Sequence, residues 1–174
     1  MSSEFIKRVL SSIILIPITL FFILKGSYLF IFFLSICFGL IIYEWHMMSK
    51  KKTYRIFGFI FLFISFCTIY KIRIDNDYWF LLFVLTICVS TDIGGYVFGK
   101  LFKGPKLTKF SPNKTFAGMI GGYLFSIISA IILTNFNYGE NLTIRWFIFV
   151  ILISTISQLG DIIISYFKRL SKIK

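Results

Sequence analysis

Six apolar runs, separated only by short basic or glycine-bearing connectors, occupy almost all of this chain of 174 residues. No polar stretch is long enough for a soluble domain. With 57% of the residues hydrophobic, the chain is expected to be all-α and polytopic, a single transmembrane domain over 1–174, since runs of about 20 apolar residues are what a bilayer-spanning helix needs. Helices are expected near residues 8–24, 28–48, 56–70, 78–99, 115–134 and 144–168. The first and third are short for a bilayer unless tilted or extended at their ends. The first run continues directly into the second and has no small-residue cleavage site, so it reads as a membrane anchor and not as a removable signal peptide.

The charge distribution orients these spans. Of the 19 basic residues, Lys7, Arg8, Lys50, Lys51, Lys52, Arg55, Lys100, Lys103, Lys106, Lys109, Lys114, Lys168, Arg169, Lys172 and Lys174 fall on one side of the expected membrane. Only Lys25, Lys71, Arg73 and Arg145 fall on the other. The positive-inside bias then predicts a multi-pass protein of the cell's inner (plasma) membrane with both termini cytoplasmic. The formal charge of +12 is first a topology signal and second a means of attracting anionic lipid or nucleotide. Nucleic acid is excluded as a partner, because the aromatic residues lie in the spans and not among the lysines.

Three carboxylates sit inside the apolar segments. Glu44, Asp92 and Asp161 each precede a basic run, at Lys50, Lys100 and Lys168, by six to eight residues. At 1.5 Å of rise per residue that places all three roughly 9 to 12 Å inside the same membrane face. An ionisable group at such a depth costs at least about 2.5 kcal/mol, so three at matching depth point to a metal, proton or substrate site. Glu44, flanked by Tyr43 and Trp45, also fits an interfacial residue. Both aspartates fall near helix C-termini, where the dipole favours cations. Oxygen ligands alone select Mg²⁺ or a similar hard ion. Cys37, Cys67 and Cys88 lie in spans with no CxxC pair and read as small core residues, and the lone His46 reads as interfacial.

Two further patterns surround the acids. In the last span Ser154, Ser157, Asp161, Ser165 and Lys168 recur at intervals of three and four, which puts them on one helix face; Asp92, Gly95 and Gly99 do the same in the fourth. Small hydroxyls and glycines alone would describe a packing seam, but a seam does not account for the aspartates. The densest basic stretch, 100–114, is expected to be a cytoplasmic loop between helices four and five. It carries a helix-start signal, with Ser111 as cap and Pro112 in the first helical position. Lys114 and Thr115 follow in the next turn, so an exposed helix N-terminus and several ammonium groups together suit a phosphate. Gly118 and Gly122 form a G-x-x-x-G close-packing motif. Carboxylates for a cation beneath a phosphate-binding loop suggest phosphoryl or nucleotidyl transfer on a lipid, with no side-chain nucleophile required. No G-x-x-x-x-G-K-[ST] is present, which excludes a P-loop ATPase.

At these residues the chain resembles the phosphatidate cytidylyltransferases, or CDP-diacylglycerol synthases. Ser90 to Gly122, STDIGGYVFGKLFKGPKLTKFSPNKTFAGMIGG, is similar to the family's Asp-x-Gly-Ala-Tyr-x-x-Gly followed by Ser-Pro-x-Lys-Thr-x-x-Gly-x-x-Gly-Gly. Gln158 to Lys174, QLGDIIISYFKRLSKIK, is similar to the opening of the family signature, Leu-Gly-Asp then Ser-x-x-Lys-Arg. The resemblance implies transfer of CMP from CTP to phosphatidate with Mg²⁺, giving CDP-diacylglycerol and pyrophosphate. It implies that Asp161 and Asp92 hold a cation or substrate phosphate; Glu44 joins them as a metal candidate by its depth alone. Ser111, Lys114 and Thr115, with Gly118 and Ser165, would bind substrate, and Lys168 and Arg169 would contact phosphate at the reacting centre. Two positions depart from the pattern. Ile164 stands where the family has Glu, and the family's next motif, with Pro-Gly-His-Gly-Gly and Asp-Arg-x-Asp, does not follow Lys174. The resemblance therefore implies either an active enzyme or a shortened one that is inactive or depends on a homodimer or a separate chain for the missing ligands. A cation-coupled transporter is the reading from another class; the Ser111 to Thr115 loop gives it no support.

Overall fold

The computed structural model describes residues 3–49, 52–75, 78–108, 114–137 and 143–171. Among them are six helices, α1 (Ser3–Lys25), α2 (Ser27–Met48), α3 (Lys52–Asp75), α4 (Tyr78–Phe102), α5 (Phe116–Asn137) and α6 (Ile144–Ser171). The protein is all-α and polytopic: α2 to α6 are each long and apolar enough to cross a membrane, and α1 carries a shorter apolar stretch, Ile14–Lys25. Both helices expected to be short are extended at their ends, α1 to 23 residues and α3 to 24. Hydropathy marks only the hydrocarbon-facing part of a span, whereas the helix continues through Arg55, Lys71 and Arg73 into the interfacial region.

Large apolar side chains such as Phe61, Ile64, Ile128 and Ile156 are exposed, as expected where the outer surface meets lipid tails. Hydroxyls on these spans are satisfied within their own helix. Thr19, Ser35, Ser65 and Thr68 each donate to the carbonyl four residues earlier, at 2.8, 2.8, 2.9 and 2.8 Å. Each unpaired polar group in hydrocarbon would otherwise cost several kcal/mol.

The chain divides into two compact units, Met1–His46 with Lys52–Leu81, and Met47–Lys51 with Leu82–Lys174. In the first, α1 turns into α2 through Gly26 (φ 63°) and Ser27 (φ 53°), both left-handed. Gly26 N–H donates to Phe22 O at 3.0 Å, closing the end of α1, and Arg73 Nε of α3 donates to Ile23 O at 3.1 Å. A Cβ on Gly26 would lie 2.3 Å from the Arg73 guanidinium, so the turn needs glycine for both its φ and its space. Further along, the Trp45 ring of α2 lies on Gly58 of α3 and its Nε1–H donates to Arg55 O at 3.3 Å.

The second unit is built from the greater part of α4 with α5 and α6. Phe83, Ile87, Ala130 and Val150 form its buried core, and the Phe83 and Trp146 rings meet edge to face at 5.4 Å. Nearer the other end of α4, the α4 and α5 backbones come together at glycines. A Cβ on Gly94 would stand 2.3 Å from Gly121 O, and one on Gly118 would stand 2.7 Å from Gly95 O. Backbone cannot yield as a flexible side chain can. Gly94→Ala and Gly118→Ala should therefore each lower stability in detergent by about 1–3 kcal/mol through overpacking. Gly39→Ala, where nothing lies within 4 Å, should leave the thermal midpoint unchanged or raise it.

Candidate functional site

The loop that follows α4 folds back on the start of α5. Lys106 and Thr115 form an antiparallel bridge, Leu107 N–H donates to Lys114 O at 2.8 Å, and Phe116 N–H donates to Pro105 O at 3.1 Å. Lys103 takes a left-handed φ of 49° where the chain leaves α4. The cap expected at Ser111 and the first helical position expected at Pro112 lie outside the described residues. Within them α5 starts at Phe116 with Thr115 as its cap: Thr115 Oγ1 accepts the Gly118 N–H at 3.1 Å. Two of the amides at this helix start are thus taken by the chain's own oxygens, and Lys114 supplies positive charge beside them.

This folded loop walls a small, partly open cleft together with Asp92 and Gly95 of α4, Gly118 and Met119 of α5, and Gln158 and Ile162 of α6. Lys114 and Thr115 also line it. The Lys114 ammonium donates to a carboxylate oxygen of Asp161 on α6. Their side chains are 36% and 45% exposed, so the rest of the protein covers the pair only in part. Asp92 lies close enough to feel the charges of both partners. It makes no hydrogen bond or ion pair with another described residue. Loop, α4, α5 and α6 thus converge on two carboxylates and one ammonium.

Beneath these charges the three helices are tied by polar contacts. Thr91 Oγ1 of α4 donates to Ser154 Oγ of α6 at 3.0 Å, and the Tyr123 hydroxyl of α5 meets Thr155 Oγ1 at 2.9 Å. Gln158 Nε2 donates to Met119 O at 3.4 Å and to Ser154 Oγ at 3.5 Å. Gly122 makes this junction possible, since a Cβ there would come within 3.1 Å of both Thr91 O and Gln158 Nε2. Gln158 is the residue that the polar-stripe reading passed over. It sits four residues after Ser154 and three before Asp161, and an amide in an apolar helix was the available signal.

Of the residues singled out from the sequence, Asp92, Asp161, Lys114, Thr115 and Gly118 come together. Ser165 follows one turn beyond Asp161 and is not among the cleft walls. Lys168 and Arg169 occupy the exposed last turn of α6. Glu44 is exposed on α2 and belongs to the first unit, and Ser111 is outside the described residues. Among the described residues no three His, Cys, Asp or Glu side chains are grouped as a metal cage. Asp92 on the cleft and Asp161 beside it, paired with Lys114, still fit Mg²⁺, which is commonly held by one or two carboxylates with waters and substrate phosphates completing the shell.

Residues 55–174 match the family model described as the Cytidylyltransferase family. The chain belongs to this family, a class of enzymes performing nucleotidyl transfer in phospholipid synthesis. Among the proteins it is similar to is the phosphatidate cytidylyltransferase of Rickettsia conorii (strain ATCC VR-613 / Malish 7), 32% identical across 99% of this chain and 79% of that protein. Another is the phosphatidate cytidylyltransferase of Rickettsia felis (strain ATCC VR-1525 / URRWXCal2), 34% identical across 96% and 78%. That of Staphylococcus haemolyticus (strain JCSC1435) is 37% identical across 61% and 41%. No solved structure matches.

The capping geometry gives a direct test. Thr115→Ala should destabilise the protein by about 0.5–2 kcal/mol through loss of the cap, and Thr115→Ser should recover most of that. Thermal unfolding of the three proteins in detergent measures it.

Proposed function

We propose that the protein transfers CMP from CTP to phosphatidate, forming CDP-diacylglycerol and pyrophosphate, with Mg²⁺ and at the cytoplasmic face of the inner membrane. The observation that carries this reading is the cleft lined by Asp92 and Lys114, with Asp161 paired to that lysine, in a chain whose relatives bear the name phosphatidate cytidylyltransferase. In the reaction a phosphate oxygen of phosphatidate attacks the α-phosphorus of CTP. The bond from that phosphorus to the bridging oxygen of the β-phosphate breaks, and pyrophosphate leaves with the electron pair. Both attacking and leaving groups are phosphates, so the chemistry calls for charge neutralisation and alignment and not for a side-chain nucleophile.

The Lys114 ammonium suits the nucleotide's phosphates. Asp92 and Asp161 would hold Mg²⁺, which when bound neutralises phosphate charge during the in-line displacement. Lys168 and Arg169, on the last turn of α6, suit the lipid phosphate at the membrane surface. The cytoplasmic placement rests on the basic residues gathered at one end of the spans.

The test is conversion of phosphatidate and CTP by the protein in detergent micelles with Mg²⁺, beside Asp161→Asn. The wild-type protein should form CDP-diacylglycerol, and the variant should lose activity by at least about 100-fold, as expected when a group that organises transition-state charge is removed. Lipid binding without any CTP-dependent product from the wild-type protein would count against the reading.

A further inference from the structure

Lys114 and any cation bound at Asp161 need the same carboxylate. The Lys114 ammonium already donates to Asp161, while Asp92, near enough to feel that pair, has no partner of its own among the described residues. One lysine between two aspartates leaves the cluster with a formal charge of −1. A divalent cation gains the full attraction of both carboxylates only when the ammonium has withdrawn, because two positive groups crowded on one carboxylate repel each other.

The anchorage of Lys114 allows such a withdrawal. Its backbone is fixed, since its carbonyl accepts the Leu107 N–H at 2.8 Å and the next residue caps α5. Its ammonium hangs on a flexible four-carbon stem. The side chains of the pair are only partly covered by the rest of the protein, so neighbouring residues leave the ammonium room to move. The ammonium that leaves Asp161 remains in the same cleft, where a nucleotide phosphate offers the replacement anion.

We propose that Lys114 acts as the resident counter-ion of Asp161 and exchanges that carboxylate for a nucleotide phosphate when a divalent cation takes its place. Lys114 is thereby a positioning residue that couples the two ligands. It hinders binding of a cation that arrives alone and favours binding once phosphate is present to receive the ammonium. By linkage the cation must favour the nucleotide to the same degree. This inference rests on the cation reading of Asp161 given above.

The test uses Mn²⁺ alone as the probe, bound to the full chain in detergent and followed by electron paramagnetic resonance of the free ion. Lys114→Met should bind Mn²⁺ about tenfold more tightly than the wild-type protein, a size typical of coupling between sites. Lys114→Arg, which retains the positive charge, should bind it about as the wild-type protein does. In the wild-type protein, saturating Mn²⁺ should also speed modification of the Lys114 amine by an acylating reagent, measured by mass spectrometry. This second readout needs no variant and would not respond to a merely structural lysine. Unchanged or weaker Mn²⁺ binding by Lys114→Met, or an amine whose reactivity ignores Mn²⁺ while the ion binds, overturns the exchange and leaves the cation reading standing. Asp161→Asn binding Mn²⁺ as tightly as the wild-type protein would instead remove the cation reading, and the exchange with it.

Discussion

The near contact of α4 with α5 at bare glycines is the constraint on which the site depends. Asp92 lies just before Gly94 and Gly95 on α4, and Lys114 and Thr115 lie just before Gly118 on α5. The two backbones approach so closely that a single carbon added at Gly94 or Gly118 would meet a carbonyl oxygen of the other helix. Carboxylate and ammonium are therefore brought to one cleft by main chain, and the side chains only complete what the backbones have set. A seam made of larger residues would hold the helices some ångströms further apart and open the cleft to lipid.

The third member of the site comes from α6, and its register is set by polar contacts beneath the cleft. Thr91 with Ser154, Tyr123 with Thr155, and Gln158 with Met119 O pin one face of α6 against α4 and α5. A helix held only by apolar contacts in lipid has little reason to prefer one rotation over another, since tails and leucines are equally apolar. Hydrogen bonds supply that preference. Asp161, three residues beyond Gln158, points to Lys114 because the turn before it has already been fixed.

Much of this was legible in the sequence because it depends on local pattern. Apolar runs announced the helices, and the depth of the acids relative to the lysines marked Asp92 and Asp161 but equally Glu44, which belongs to the first unit. Of the Ser, Asp and Lys stripe on α6, Ser154 is buried and Asp161 meets Lys114, whereas Lys168 is exposed, and the stripe omitted Gln158. Features that depend on residues far apart in the chain were not legible. The pairing of Lys106 with Thr115 draws the basic loop over the start of α5, where Thr115 caps the helix; the cap expected at Ser111 lies outside the described residues. The helix-start pattern marked Lys114 among the loop lysines, but its partner is Asp161, 47 residues away, and no local rule predicts that pairing. The limits of α3 were read too narrowly because its charged ends remain helical beyond the apolar stretch.

In the first unit, the last turn of α1 depends on a residue that is synthesised much later. The Ile23 carbonyl receives its hydrogen bond from Arg73, 50 residues further along, and the same guanidinium packs against the left-handed turn at Gly26. During synthesis the α1–α2 hairpin emerges from the ribosome well before its clasp. Its first two spans can enter the membrane, but the corner between them takes its final form only after the whole of α3 has followed, so maturation of this unit is tied to the arrival of its third helix.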